Sequence, residues 1–153
     1  MRMRDARAAL LCAGWLVCGL IATGCSSSPT EPTAELTTET FTGTLTPRGL
    51  AFHTFTVNYA QAYSDASVTV ASLKAASDGG EHAITVGVGF GVISVGTCTR
   101  VAALTNPTAA YNTELPTNGS PFLAGPYCIA IFDNPDAPTV TEPLAYTLVV
   151  KHY

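Results

Sequence analysis

Leu144-Ala145-Tyr146-Thr147-Leu148-Val149-Val150-Lys151 decides the fold class. Leu144, Tyr146, Leu148 and Val150 recur at every second position, with Ala145, Thr147, Val149 and Lys151 between them. Successive side chains of an extended chain point to opposite faces, so a period of two predicts a strand with one face buried. The same period recurs upstream. Phe41, Gly43 and Leu45 alternate with threonines, and His53, Phe55, Val57 and Tyr59 alternate with Phe52, Thr54, Thr56 and Asn58. Val68 and Val70 alternate with Ser67, Thr69 and Ala71, and Ile84, Val86, Val88 and Phe90 with Thr85, Gly87 and Gly89. Tyr127-Cys128-Ile129-Ala130-Ile131-Phe132 is apolar at nearly every position, which predicts a strand buried on both faces.

Pro47-Arg48-Gly49, Asp78-Gly79-Gly80, Asn106-Pro107, Asn118-Gly119 and Asn134-Pro135-Asp136 punctuate these runs with turn-forming residues. Asn118-Gly119 carries the hairpin signal most directly. No convincing helical period occurs beyond the first 25 residues. Seven or eight short strands separated by turns predict an all-β, antiparallel β-sandwich.

The first 25 residues differ in kind. Arg2, Arg4 and Arg7 against Asp5 give a basic start, Ala8 to Ile21 is uncharged, and Ala22, Thr23 and Gly24 are small. A basic start, a short apolar run and a small-residue site describe an export signal, and the run is short of the ~20 residues a bilayer span needs. Ile21-Ala22-Thr23-Gly24-Cys25 resembles the lipobox of bacterial lipoproteins, with Ala22 where Leu is usual. The resemblance implies cleavage before Cys25 and acylation of Cys25. Several acyl chains together hold a protein to a membrane, each buried methylene contributing ~0.8 kcal/mol. Ser26 after that cysteine implies outer-membrane placement in a cell with two membranes, on its periplasmic or surface face. Ser26-Ser27-Ser28-Pro29-Thr30-Glu31-Pro32-Thr33 then reads as a solvated, disordered tether, and the spacing of Glu31, Glu35 and Glu39 is assigned to the same solvated stretch. The chain is thereby divided into a signal peptide (1–24), a lipidated cysteine and linker (25–38) and a sandwich (39–153).

Once cut, the chain keeps four Lys/Arg and ten Asp/Glu, a net charge of −6, with 21 threonines. A β-branched side chain that tolerates water favours strands, and so few cations argue against nucleic acid as a partner. Of five cysteines, Cys12 and Cys18 leave with the signal peptide and Cys25 is taken by lipid. Cys98 and Cys128 remain, an even number in an exported chain, which favours one disulfide over two free thiols, a metal pair or a nucleophile.

Taken in order, Phe52–Val57, Ser67–Leu73, Ile84–Gly89, Gly125–Ile131 and Tyr146–Val150 resemble bacterial pre-peptidase C-terminal domains. The resemblance covers most of Phe41 to Tyr153, with Pro126 where the family has Thr and His53 where it often has an acidic residue. It implies a jelly-roll-like sandwich and a non-catalytic accessory module.

Candidate site residues are few. His53 lies on an aromatic strand face, His82 in a Gly/Asp loop and His152 beside the last residue, and no hydrolase or zinc-protease motif joins them. Gly87-Val88-Gly89-Phe90-Gly91 lacks the third glycine of a dinucleotide fingerprint and reads as a glycine-bearing strand or bulge. Asp133-Asn134-Pro135-Asp136, with Asp78 and Glu81, offers oxygens of the kind calcium takes, but an Asx-type turn accounts for the tetrapeptide, so no metal or other cofactor is expected. Tyr63, Tyr111, Phe122 and Tyr153 fall outside the alternating runs. Such rings either stack on a ligand at the end of the sandwich or cover its core. The expected function is a membrane-tethered, non-enzymatic envelope lipoprotein that binds carbohydrate or an envelope protein. The alternatives are a structural or assembly partner and a hydrolase with an unrecognised site.

Overall fold

Eight strands follow one another: β1 (Thr37–Leu45), β2 (Leu50–Val57), β3 (Ser67–Ala75), β4 (Val86–Ser94), β5 (Thr97–Ala109), β6 (Glu114–Pro116), β7 (Gly125–Phe132) and β8 (Leu144–His152). They come from a computed structural model that describes residues 35–58, 65–77, 79–81, 84–119 and 122–153. The signal peptide, Cys25, Tyr63, Asp78 and His82 lie outside the described residues.

Antiparallel pairing joins β1 to β8, β2 to β7, β3 to β6 and β4 to β5. That is a long hairpin rolled on itself. The β3–β8 and β4–β7 pairs then gather the strands into two sheets, ordered β1-β8-β3-β6 and β2-β7-β4-β5. This order is the jelly roll, an eight-stranded sandwich of two Greek keys.

The inner faces carry the alternating sets read from the sequence. Val68, Val70, Leu73, Leu144, Tyr146, Leu148 and Val150 meet Phe55, Val57, Val86, Val88, Phe90, Ile129 and Ile131, and none is more than 3% exposed. Each such side chain contributes roughly 1.5–3 kcal/mol by leaving water. The change of phase between Val70 and Leu73 is absorbed by a bulge at Ala71, which keeps both residues inward. Glu81 closes that bulge: Ser72 Oγ donates to its Oε1 and the Leu73 amide to its Oε2, both at 2.8 Å.

Four features depart from the sequence expectations. The first strand begins at Thr37, and Glu39 belongs to it rather than to the tether. Asn106-Pro107 lies inside β5 instead of ending a strand. Here β5 is the edge of its sheet, where Pro is tolerated, and its register slips between the Val86–Ala109 and Val88–Asn106 pairs. The Thr108 amide donates to Asn106 Oδ1 at 2.9 Å, so the turn chemistry is spent on a bulge. Asn118-Gly119 has the two positive φ angles of a hairpin turn, 49° and 75°, yet it leads from β6 in one sheet toward β7 in the other. The β4–β5 hairpin turns instead through Val95 and Gly96, with φ 49° and 75°.

Candidate functional site

The outward face of the β2-β7-β4-β5 sheet is built on glycine. Gly87, Gly89 and Gly91 alternate with inward Val86, Val88 and Phe90, so from Val86 to Gly91 β4 presents no side chain there. Neighbouring groups lie directly on its backbone. A Cβ at Gly87 would sit 2.1 Å from the Phe132 ring, one at Gly89 would sit 2.4 Å from Thr105 Oγ1, and one at Gly91 would sit 2.5 Å from the Thr99 carbonyl oxygen.

Cys98 of β5 and Cys128 of β7 flank β4 and are joined by a disulfide. Two strand spacings in a flat sheet amount to about 9.6 Å. The two Cα atoms are only 5.9 Å apart, so β5 curls over the outer face with Gly91 beneath it. The register slip between Gly89 and Gly91 marks the same bend, because Val101 to Leu104 leave the ladder there. The Thr105 hydroxyl donates to the Val101 carbonyl at 2.8 Å and ties this excursion down.

The curled strand makes one wall of an open groove of about 560 Å³, lined by Leu50, Cys98, Arg100, Ala102, Thr105 and Pro107. The Arg100 guanidinium carbon lies 3.7 Å above the centre of the Phe132 ring. Phe132 itself is 5% exposed and registers with Leu50 across the β2–β7 pair. Leu50 is 52% exposed and Phe52, on the same face two residues on, is 37% exposed. Among the described residues no carboxylate pairs with Arg100 and no acceptor takes a hydrogen bond from it.

Of the aromatic candidates from the sequence, the three described ones, Tyr111, Phe122 and Tyr153, do not line this groove. Phe122 is 4% exposed and belongs to the core, its ring 4.4 Å from that of Tyr127 and 5.4 Å from that of Phe90. It therefore covers the end of the sandwich instead of offering a ring to solvent. With Val92, Val101, Leu104 and Tyr127 it lines a small apolar pocket of about 180 Å³. Tyr111 is exposed in the turn after β5, and Tyr153 is half-buried in a separate groove with Leu36, Asp65 and Lys151. Sequence reasoning missed Leu50, Phe52 and Arg100. Alternating glycines beside a cysteine-bearing strand were the available signal.

Two histidines face inward along the side where β1 and β2 run close. His53 Nε2 lies 2.9 Å from the Tyr146 hydroxyl, and its ring stacks on Phe41 with centroids 4.9 Å apart. Burial lowers the His53 pKa below 6.5 and raises that of the Tyr146 phenol, so both stay neutral and the phenol can donate to Nε2. Gly43 makes room for that phenol, since a Cβ there would sit 2.4 Å from its oxygen. His152 is 1% exposed, packs on Phe55, and donates from Nε2 to Glu39 Oε1 at 2.8 Å. The first pair joins the two sheets and the second joins the neighbouring strands β1 and β8, and among the described residues no Ser or Thr hydroxyl and no Cys thiol is hydrogen-bonded to either imidazole.

The carboxylates of Asp133 and Glu81 are committed to backbone amides. Asp133 is 4% exposed and accepts amide N–H groups from Arg48 at 2.9 Å, Thr139 at 3.0 Å and Val140 at 3.3 Å. Asn134 makes the expected Asx turn to the Asp136 amide at 3.1 Å. Asp133 and Glu81 are thus held in separate loops by different partners. Among the described residues no three His, Cys, Asp or Glu side chains converge on a metal-sized space.

No protein-family model matches the chain, and no curated protein matches it significantly.

Proposed function

We propose that the chain is exported, cut before Cys25 and held by acyl chains to a membrane of the bacterial envelope, where its sandwich acts as a non-catalytic binding or accessory module. The observation that carries this is Ile21-Ala22-Thr23-Gly24-Cys25 behind a basic start and a short apolar run. The Cys98–Cys128 disulfide supports an oxidising destination outside the cytosol. Exposed Leu50 and Phe52 beside a guanidinium without a carboxylate support a binding role. The commitment of His53 to Tyr146 and of His152 to Glu39 supports a non-catalytic one.

Labelling a bacterial host with radioactive palmitate tests the anchor. Cys25→Ser should lose the label and leave the membrane fraction, and unchanged retention would overturn lipid anchoring. Pull-down from detergent extracts tests the module. A reproducible protein partner supports an accessory role in assembly, enriched glycan supports a carbohydrate module, and recovery of neither overturns the binding role.

A further inference from the structure

We propose, resting on the binding-module reading above, that the groove beneath the curled β5 binds a carboxylate presented by an extended peptide segment, with Arg100 as the carboxylate's partner. A guanidinium carries five N–H donors in one plane. In Arg100 one face of that plane lies on Phe132, so the edges that form paired hydrogen bonds to a carboxylate point away from the ring. Those donors meet no protein acceptor among the described residues. Among the described residues the rest of the lining, Leu50, Cys98, Ala102, Thr105 and Pro107, is uncharged and does not neutralise the cation. Stacking on a ring that is itself fixed over Gly87 limits where the guanidinium can point. Preorganisation of this kind lowers the ordering cost of binding.

The lining also separates a peptide from a sugar. The one hydroxyl in it, that of Thr105, is already given to the Val101 carbonyl. A glycan would bring many hydroxyls to a groove whose described lining offers no other uncharged hydrogen-bonding side chain. An extended peptide brings apolar side chains at alternate positions, and Leu50 and Phe52 are exposed at that same spacing on β2. As an edge strand, β2 occupies the position from which sheets accept an added extended segment.

The test uses the full chain purified in detergent and a fluorescein-labelled Val-Glu-Val-Glu-Val peptide, read by fluorescence anisotropy. The Glu peptide should bind at least about tenfold more tightly than its Gln counterpart, the worth of one charge-assisted pair. Arg100→Gln should erase that preference, and Arg100→Lys should restore only part of it. Equal binding of the two peptides by the unaltered protein, or no binding, overturns the proposal without recourse to a variant. Polygalacturonate that competes better than the Glu peptide overturns the peptide assignment. A partner retrieved equally by the parent and Arg100→Gln proteins overturns this site while leaving the binding role intact.

Discussion

Removing the Cys98–Cys128 disulfide should cost this sandwich much of its stability. The bond closes a loop of 30 residues that holds β5 from Cys98 onward, β6 and the first half of β7. On the chain-entropy model, cross-linking a loop of that size destabilises the unfolded chain by about 3.6 kcal/mol. Globular domains have only about 5–15 kcal/mol in total. At roughly 1.5 kcal/mol per molar of urea, the unfolding midpoint should fall by about 2.4 M. At about 2.1 cal/mol/K for each of roughly 110 described residues, the melting temperature should fall by about 16 °C. The variant of choice is Cys98→Ala with Cys128→Ala, because Cys128 is fully buried and a serine hydroxyl there would need a partner. Urea titration followed by far-ultraviolet circular dichroism gives the midpoint, and the reduced parent protein should match the double variant. A fall of less than about 0.7 M, near 1 kcal/mol, would refute the strap as the main constraint on this loop.

Three further outcomes follow from single residues. Val95 is fully exposed at φ 49°, so Val95→Asn gives up no burial and relieves a β-branched residue from a left-handed turn; the urea midpoint should rise by the equivalent of about 1 kcal/mol, and a fall would contradict the strain. Gly87→Ala places a Cβ 2.1 Å from the Phe132 ring and should cost about 1–3 kcal/mol and change the near-ultraviolet aromatic signal, whereas unaltered stability would mean that the ring is not seated there. Burial holds the folded-state pKa of His53 below 6.5, so the unfolded chain binds its proton more readily. Stability should therefore be full above about pH 6.5 and be lost as the pH falls toward the folded pKa. His53→Gln should flatten this part of the profile, and parallel urea midpoints for the two proteins between about pH 7.5 and 5 would refute the assignment.

The strands that were legible are those in which every second residue must meet the opposite sheet without interruption. That requirement wrote β2, β4, β7 and β8 into the sequence directly, and Phe41 to Leu45 of β1 with them. It also flagged β7 as buried twice over, as Cys128, Ala130 and Phe132 are on the outer face and Ile129 and Ile131 on the inner. In β3 only the half before the bulge showed the period, because Ala71 shifts the phase. In β5 the period is lost altogether, since Val101 to Leu104 leave the ladder and Asn106 and Pro107 make a bulge. At three residues β6 is too short to show any period. Glu39 was read with Glu31 and Glu35 as tether because its partner, His152, is 113 residues away and no local pattern reports that contact.

The groove was illegible for a different reason, although its foundation was written plainly. Three glycines alternating with inward Val88 and Phe90 must all face outward, which leaves a central strand bare on a surface that water would otherwise wet. Glycine in a strand interior often marks a close approach by another part of the structure. The candidates for that approach are the strands on either side of β4, and these are the two that carry Cys98 and Cys128. Joining the glycine row to the cysteine pair therefore locates a covered outer face between β5 and β7 from pattern alone. Placing Arg100 is harder. Its stack on Phe132 depends on how far β5 curls, and that is set by the disulfide together with the four residues that leave the ladder, a balance with no local sequence signature. The loop aromatics drew attention by composition, yet Phe122 went to the core, while the exposed apolar side chains beside the groove belong to β2, where the expected alternation put Phe52 opposite the buried set. In a sandwich, the residues an alternating pattern assigns to solvent are the ones to search for a binding face.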